Sequence, residues 1–194
     1  DDFRFLRLWW EVSLMPERDE TWIFHLKGGP FQKYFANPHL VCNWKDSGSE
    51  IKALVEARYG SVSRIIQAQD YYFRSGLTYT RRTSSRFSVR AAPGGCNFAD
   101  RGPLIVPTRD IPIDKYFLLG LLNSPLIAYM ISLSLAAAEG AARSYEVGIL
   151  QRLPWPGFAE SAQIEIAEQA HLIVEAIQAS DRQDPTSSGF VPST

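Results

Sequence analysis

The chain has 194 residues, of which 45% are apolar, 12% aromatic and 21% charged, with a formal net charge of −1 and two cysteines. Such a length and composition support a buried core in one domain or two small ones, and exclude wholesale disorder and collagen-like or mucin-like chains. Cys42 and Cys96 are too few for a disulfide scaffold or a four-cysteine zinc site, and His25, His39 and His171 fall in no metal-ligand spacing, so no metal site is expected.

The opening DDFRFLRLWW is acidic and lacks the apolar stretch and small-residue cleavage site of a signal peptide. It starts without Met and in mid-pattern, so the chain is expected to be an excised part of a longer protein. Residues 3–12 alternate enough for a strand, residues 21–26 read as another, and Gly28-Gly29 marks a turn. Ser49 is a candidate N-cap for a helix over 49–59 with Ile51, Leu54 and Val55 on one face. From Tyr71 to Val106 the pattern predicts short strands (YYF, LTYT, RFSVRA, CNF, PLIVP) punctuated by Gly76, Pro93-Gly94-Gly95 and Gly102-Pro103. Tyr71 and Tyr72 are candidates to stack a base, although aromatics on a strand are usually core.

Residues 116–138 carry no charge over 23 positions, long enough to raise a membrane span. Asn123-Ser124-Pro125 interrupts the run with an N-cap and a helix-opening proline. Two short buried helices, 116–123 and 125–138, are therefore expected, and no membrane. A C-terminal helix over 160–179 follows, with Ile164, Ala167, Leu172, Val174 and Ile177 as its apolar face. The polar residues 181–194 read as a disordered tail. The expected fold class is α+β, with short, mostly antiparallel strands in the middle of one domain spanning 1–180.

Near-neutral net charge conceals an asymmetry. Between Arg58 and Arg109 there are nine arginines (58, 64, 74, 81, 82, 86, 90, 101 and 109) and only Asp70 and Asp100 as acids, so this segment is +7 and the remainder −8. Fifteen of the 20 basic residues are Arg, which favours fork-shaped contacts to phosphate or base edges over plain solubility. In an extended chain Arg82, Ser84 and Arg86 share one face, and Arg81, Thr83 and Ser85 the other. One face can pack while the other grips a polyanion; the bland alternative is a solvated strand.

Catalytic patterns are missing. There is no GxSxG elbow, Gly28-Gly29 and Gly94-Gly95 do not lead into phosphate-binding loops, and Cys42, set in an apolar strand, reads as a buried thiol. Glu165 and Glu168 are expected to face solvent.

Four blocks in order carry a resemblance. HLKGGPFQKYFANPHLVCNWKDSGSEIK, from His25, resembles the KGGxxRxWYGN…VxNWxxxGxEIK stretch of BREX-type adenine-specific DNA methyltransferases. DYYFRSGLTYTRRTSSRFSVRAAPGGCNFADRGPLIV resembles that family's YxFxxGxTW…SSxFSxRxxPxGxxFDxxG segment. YFLLGLLNSPLIAYMI is similar to its YLLGxLNS element, and SYEVGILQRLPWP to NFxxGDIxxLPxP. Together the blocks span about residues 25 to 156. TaqI-like methyltransferases of restriction-modification systems and the DISARM methylase belong to the same wider group. This chain departs from the pattern at Tyr34-Phe35-Ala36-Asn37, at Tyr79 in place of Trp, at Ala99-Asp100 and at Ile149.

In that family these blocks lie C-terminal to the catalytic domain, in the target-recognition region. The resemblance thus implies a module that reads duplex DNA for N6-adenine methylation in a prokaryotic restriction or phage-defence system, located in the cytoplasm. No NPPY motif and no FxGxG-like loop occur, so no catalytic or cofactor-binding residue is assigned here. S-adenosylmethionine is expected in a missing catalytic domain, and this chain is not expected to methylate alone. The expected DNA-binding residues are Lys27, Lys33, Lys45, Arg64, Arg74, Tyr79, Arg81, Arg82 and Arg86. Expected partners are double-stranded DNA and the catalytic domain of the parent protein. The rival reading is a protein-interaction module whose acidic helices, 49–59 and 160–179, dock a catalytic or defence subunit without reading DNA.

Overall fold

In the computed structural model, which describes residues 2–12, 21–107, 113–135, 142–155 and 157–191, two four-stranded sheets pack together and three helices cover one of them. The first sheet has the order β1 (Leu6–Leu8), β4 (Leu40–Asn43), β2 (Trp22–Leu26), β8 (Asn97–Phe98). The second has the order β3 (Tyr34–Phe35), β7 (Val89–Ala92), β5 (Gly76–Tyr79), β9 (Leu104–Ile105). A two-stranded ribbon pairs β6 (Arg82–Thr83) with β10 (Arg143–Ser144). Among the described pairings only β2–β8 and β3–β7 are parallel; the others are antiparallel. The expected α+β class with mostly antiparallel strands is the architecture observed.

Strands β5 and β7 are buried along their whole length, as central strands covered on both faces must be. Leu77, Tyr79, Val89 and Ala91 point to one side, where they meet α3 (Lys115–Leu122), α4 (Pro125–Leu133) and α6 (Glu160–Asp181) in the main core. The opposite side carries Ala92, which packs with Leu26, Cys96, Phe24, Phe98 and Leu104 between the two sheets. Gly76 serves an approach within the second sheet: a Cβ there would lie 2.5 Å from the Ile105 carbonyl oxygen of its neighbour strand β9. A third apolar cluster, Val55, Ile66 and Tyr72 with Trp44, Ile51 and Phe98, seats α2 (Lys45–Tyr59) and the connection that follows it.

The break between α3 and α4 is set by local chemistry. The Asp114 carboxylate accepts from the Tyr116 and Phe117 amides (2.7 and 2.9 Å) and starts α3. Ser124 Oγ accepts from the Ile127 amide at 3.3 Å, with Pro125 in the first turn of α4. The two axes diverge by 62°, and no single described helix is long and apolar enough to cross a membrane. Asn123, buried at this corner, holds the helices to the sheet. Its Oδ1 accepts from the Val89 amide (3.0 Å), and its Nδ2 donates to the Val89 and Leu119 carbonyls (2.8 and 3.0 Å).

Several expectations change. Residues 3–12 are a helical turn, α1 (Asp2–Phe5), the short strand β1 and a 3-10 turn (Trp9–Glu11) rather than one strand. Residues 71–73 form a turn rather than a strand. The helix expected over 49–59 is the regular part of α2, which follows three left-handed residues, Asp46, Ser47 and Gly48. The helix expected over 125–138 ends at Leu133, and residues 136–138 lie outside the described residues. Of the disordered tail expected over 181–194 from its polarity, Asp181 ends α6 and residues 182–191 form successive turns tied to the β3–β4 loop, while residues 192–194 lie outside the described residues. Asn37 Nδ2 donates to Asp181 Oδ2 (2.7 Å) and Ser187 Oγ (2.9 Å), and Ser188 Oγ donates to the Pro38 carbonyl (3.0 Å). Polarity disfavours burial, but these side chains satisfy one another on the surface.

Candidate functional site

The strand-rich basic segment divides its arginines by partner. After β5, residues 81–86 run along the edge of the main core, and their inner side is pinned from two directions. The Arg81 amide donates to the Arg101 carbonyl (3.0 Å), and the Tyr145 amide donates to the Arg81 carbonyl (2.7 Å). Buried Tyr145 donates its hydroxyl to the Ser85 carbonyl (3.0 Å) and stacks against Phe87, whose ring contacts Tyr79. The Ser85 amide donates to Thr83 Oγ1 (3.0 Å), which tightens the bend. With that side fixed, Arg82, Ser84 and Arg86 are exposed, while Arg81, Thr83 and Ser85 are half-buried, in the alternation expected of an extended chain. Among the described residues no carboxylate pairs with Arg82 or Arg86. Ser144, opposite Arg82 in the β6–β10 register, adds a hydroxyl to that ridge. Sequence reasoning missed it because the pairing joins residues about sixty positions apart.

Arg81 behaves differently. Its Nε donates to Glu146 Oε2 at 3.0 Å, and its guanidinium also pairs with Asp100. Those partners, the Glu146 hydrogen bond foremost, raise its pKa above the usual guanidinium value. Arg81 therefore fastens the ribbon to the turn after β8 and to the start of α5 (Val147–Gln151), and its charge is already matched.

Arg90 is the opposite extreme. Only 4% exposed, it lies in β7 directly opposite Thr78, on the side of the sheet that faces β2 and β8. It donates through Nη2 to Thr80 Oγ1 (3.0 Å) and through Nη1 to the Pro30 carbonyl (3.3 Å), with no carboxylate beside it among the described residues. Burial lowers its pKa; burial, then the Arg90 charge, lowers that of His39. Gly29, at φ +155°, leaves the space the guanidinium needs, since a Cβ there would stand 3.1 Å from Arg90 Nη1. Arg90 is thus a clamp between the Gly28-Gly29-Pro30 loop and the second sheet.

The remaining expected residues are dispersed. Tyr79 is corrected outright: at 1% exposure it fills the core beside Phe87 and cannot reach a duplex. Lys33 donates to the Asn123 carbonyl at 2.9 Å, where a cation suits the C-terminal end of α3. Lys27 is half-buried at the end of β2, and Lys45 is exposed at the start of α2. Arg64 and Arg74 are exposed in the connection between α2 and β5, at the other end of β5 from Arg81–Arg86. The Arg74 guanidinium stacks 5.1 Å from the centre of the Tyr71 ring. Phe73, in the same connection, stands at φ +67°, a left-handed conformation that costs a non-glycine residue about 1–3 kcal/mol.

Other chemistry finds little footing. Cys42 and Cys96 are buried free thiols, and burial pushes Cys96 up to about 11, far from a reactive thiolate at neutral pH. No three His, Cys, Asp or Glu side chains among the described residues are grouped to hold a metal. A cavity of about 340 Å³ opens between β9, α3 and α5, lined by Leu104, Ile105, Leu118, Leu121, Leu150 and Trp155 among others. It offers no carboxylate for a ribose and no charged group for an amino-acid headgroup, so it does not fit S-adenosylmethionine.

No protein-family model matches the chain. The chain is, however, distantly related over part of its length to adenine-specific methyltransferases. One relative is the adenine-specific methyltransferase PglX of Lacticaseibacillus casei (strain Zhang), 32% identical over 108 residues, covering 50% of this chain and 9% of the relative. Another is the adenine-specific methyltransferase BrxX of Escherichia coli O9:H4 (strain HS), 29% identical over 134 residues, covering 66% of this chain and 10% of the relative. The chain thus spans about a tenth of the length of the curated relatives it matches.

Proposed function

We propose that this chain is the DNA target-recognition part of an N6-adenine-specific DNA methyltransferase serving a prokaryotic restriction or phage-defence system of the BREX type. The observation that carries the reading is the exposed Arg82–Ser84–Arg86 ridge, whose cations have no carboxylate partner among the described residues, in a chain distantly related to adenine-specific methyltransferases. Arginine forks suit both phosphate oxygens and guanine edges, and the serine hydroxyls suit phosphate. Its role is recognition: the ridge grips the backbone and presents side chains to a groove, while the catalytic part of the longer protein, supplied with S-adenosylmethionine, extrudes and methylates the base. Lys45, Arg64 and Arg74 extend the contact from the other end of β5. Such a protein works in the cytoplasm, where its DNA is.

Fluorescence anisotropy with labelled duplex DNA tests this. The full chain should bind, a pool of competitor duplexes should yield an enriched sequence, and Arg82→Ala with Arg86→Ala should weaken binding. Absence of duplex binding at low salt contradicts the proposal.

A second reading has its own observation. Leu126, Tyr129 and Leu133 line one exposed stripe of α4, and Leu172 is exposed on α6. A docking surface for another subunit would use such a stripe, and a pull-down in which Tyr129→Ser releases the partner while duplex binding persists would favour it.

A further inference from the structure

Phe73 occupies a position that its own residue type disfavours, and its ring is not buried enough to account for that. Its backbone is locked from both sides: the Phe73 amide donates to the Cys96 carbonyl (2.8 Å), and the Gly95 amide donates to the Phe73 carbonyl (3.0 Å). These bonds to the turn before β8 hold it at φ +67°, where glycine or asparagine fits better. The ring is nevertheless 47% exposed. Its inner edge rests on Tyr72, with ring centres 6.2 Å apart and planes at 87°, and Tyr72 is in turn wedged among Trp44 and Phe98. Buried Tyr72, held by half-buried Trp44 and Phe98, thus braces a half-exposed ring. Two positions before it stands exposed Tyr71, with the Arg74 guanidinium stacked over its ring. Neither Arg64 nor Arg74 has a carboxylate partner among the described residues, and Asp70 is the one acid between residues 60 and 75.

From this arrangement we infer that Phe73 is a stacking wedge for DNA bases, with Tyr71 and Arg74 beside it in the chain to meet the adjoining base and phosphate. The inference rests on the DNA-recognition reading and extends it to a residue outside the arginine ridge. A flat, exposed ring next to the arginine-capped Tyr71 complements a base step: the ring covers a π-face or enters an opened step, and the Arg74 guanidinium meets the charge beside it.

The test uses the full chain and a duplex pool of random sequence carrying 2-aminopurine. Phe73→Asn keeps the left-handed backbone and removes the ring; Phe73→Tyr keeps the ring. Wild type and Phe73→Tyr should bind with a change in 2-aminopurine fluorescence. Phe73→Asn should bind about tenfold more weakly, without that change, with an unaltered salt slope and an equal or higher melting temperature. Phe73→Asn binding like wild type overturns the inference, as does wild-type binding with silent 2-aminopurine. So does a Phe73→Asn chain that keeps its duplex affinity but loses the methyltransferase catalytic part in a pull-down, which makes the loop a protein contact. If wild type fails to bind any duplex, the recognition reading falls as well; if wild type binds and only the Phe73 variants are indifferent, the wedge alone falls.

Discussion

Two pairs of arginines, ten residues apart at most, have opposite surroundings. Arg81 and Arg90 are engaged inside the fold, one between Glu146 and Asp100, the other between Thr80 and the Pro30 carbonyl. Arg82 and Arg86 face solvent with no carboxylate beside them among the described residues. The lesson is that a local excess of arginine overstates the charge available to a polyanion. Partner geometry, rather than the count, separates clamps from contacts.

The largest effect should come from the corner that holds the clamped region. Asn123→Leu leaves the buried Val89 amide and carbonyl unpaired, and each such group costs about 1–3 kcal/mol, so chemical unfolding should show a loss of about 3 kcal/mol or more. Next comes the contrast between neighbours. Arg81→Ala should lower stability by about 1 kcal/mol or less and hardly touch the salt dependence of duplex binding. Arg82→Ala and Arg86→Ala should leave stability within about 0.5 kcal/mol and weaken binding. If Arg81→Ala reduces the salt slope as much as Arg82→Ala does, the division between clamps and contacts is wrong.

Tyr79 sharpens the same division at smaller scale. Its hydroxyl is buried with no partner among the described residues, so Tyr79→Phe should keep or raise stability by about 1 kcal/mol and leave duplex affinity unchanged. Burial pushes Tyr79 and Tyr72 up to about 12 and Cys96 up to about 11. Each is raised above its unfolded-state value, so the unfolded chain loses these protons first. The stability they contribute is complete below the ordinary thiol value of 9.0 and is lost as pH rises through 11 to 12. Urea midpoints should fall over that range, less steeply in Tyr79→Phe; a flat profile contradicts the burial of these groups.

Short-range chemistry made much of this legible in the sequence. Ser124-Pro125 announced the break between α3 and α4, and period-two alternation placed Arg82, Ser84 and Arg86 on one face. What stayed hidden depends on contacts across long stretches of chain. Arg81 reaches its carboxylate 65 residues away, and Lys33 reaches the Asn123 carbonyl 90 residues away. Tyr79 looked polar and available, yet its position in a strand covered on both faces decides otherwise. The residues 182–191 looked unstructured because their polar side chains pair only once Asn37 is beside them. Phe73 carried no sequence signal at all, since its left-handed backbone is imposed by the turn at Gly95.

The central claim is that the exposed arginines, and not the clamped ones, hold DNA phosphates. The most direct test is the dependence of duplex affinity on salt for wild type, Arg81→Ala and the double variant Arg82→Ala/Arg86→Ala. Wild type and Arg81→Ala should share one steep slope, and the double variant should be shallower by about 0.9 for each phosphate that it no longer neutralises. An equal slope in all three, or no duplex binding by wild type, would contradict it.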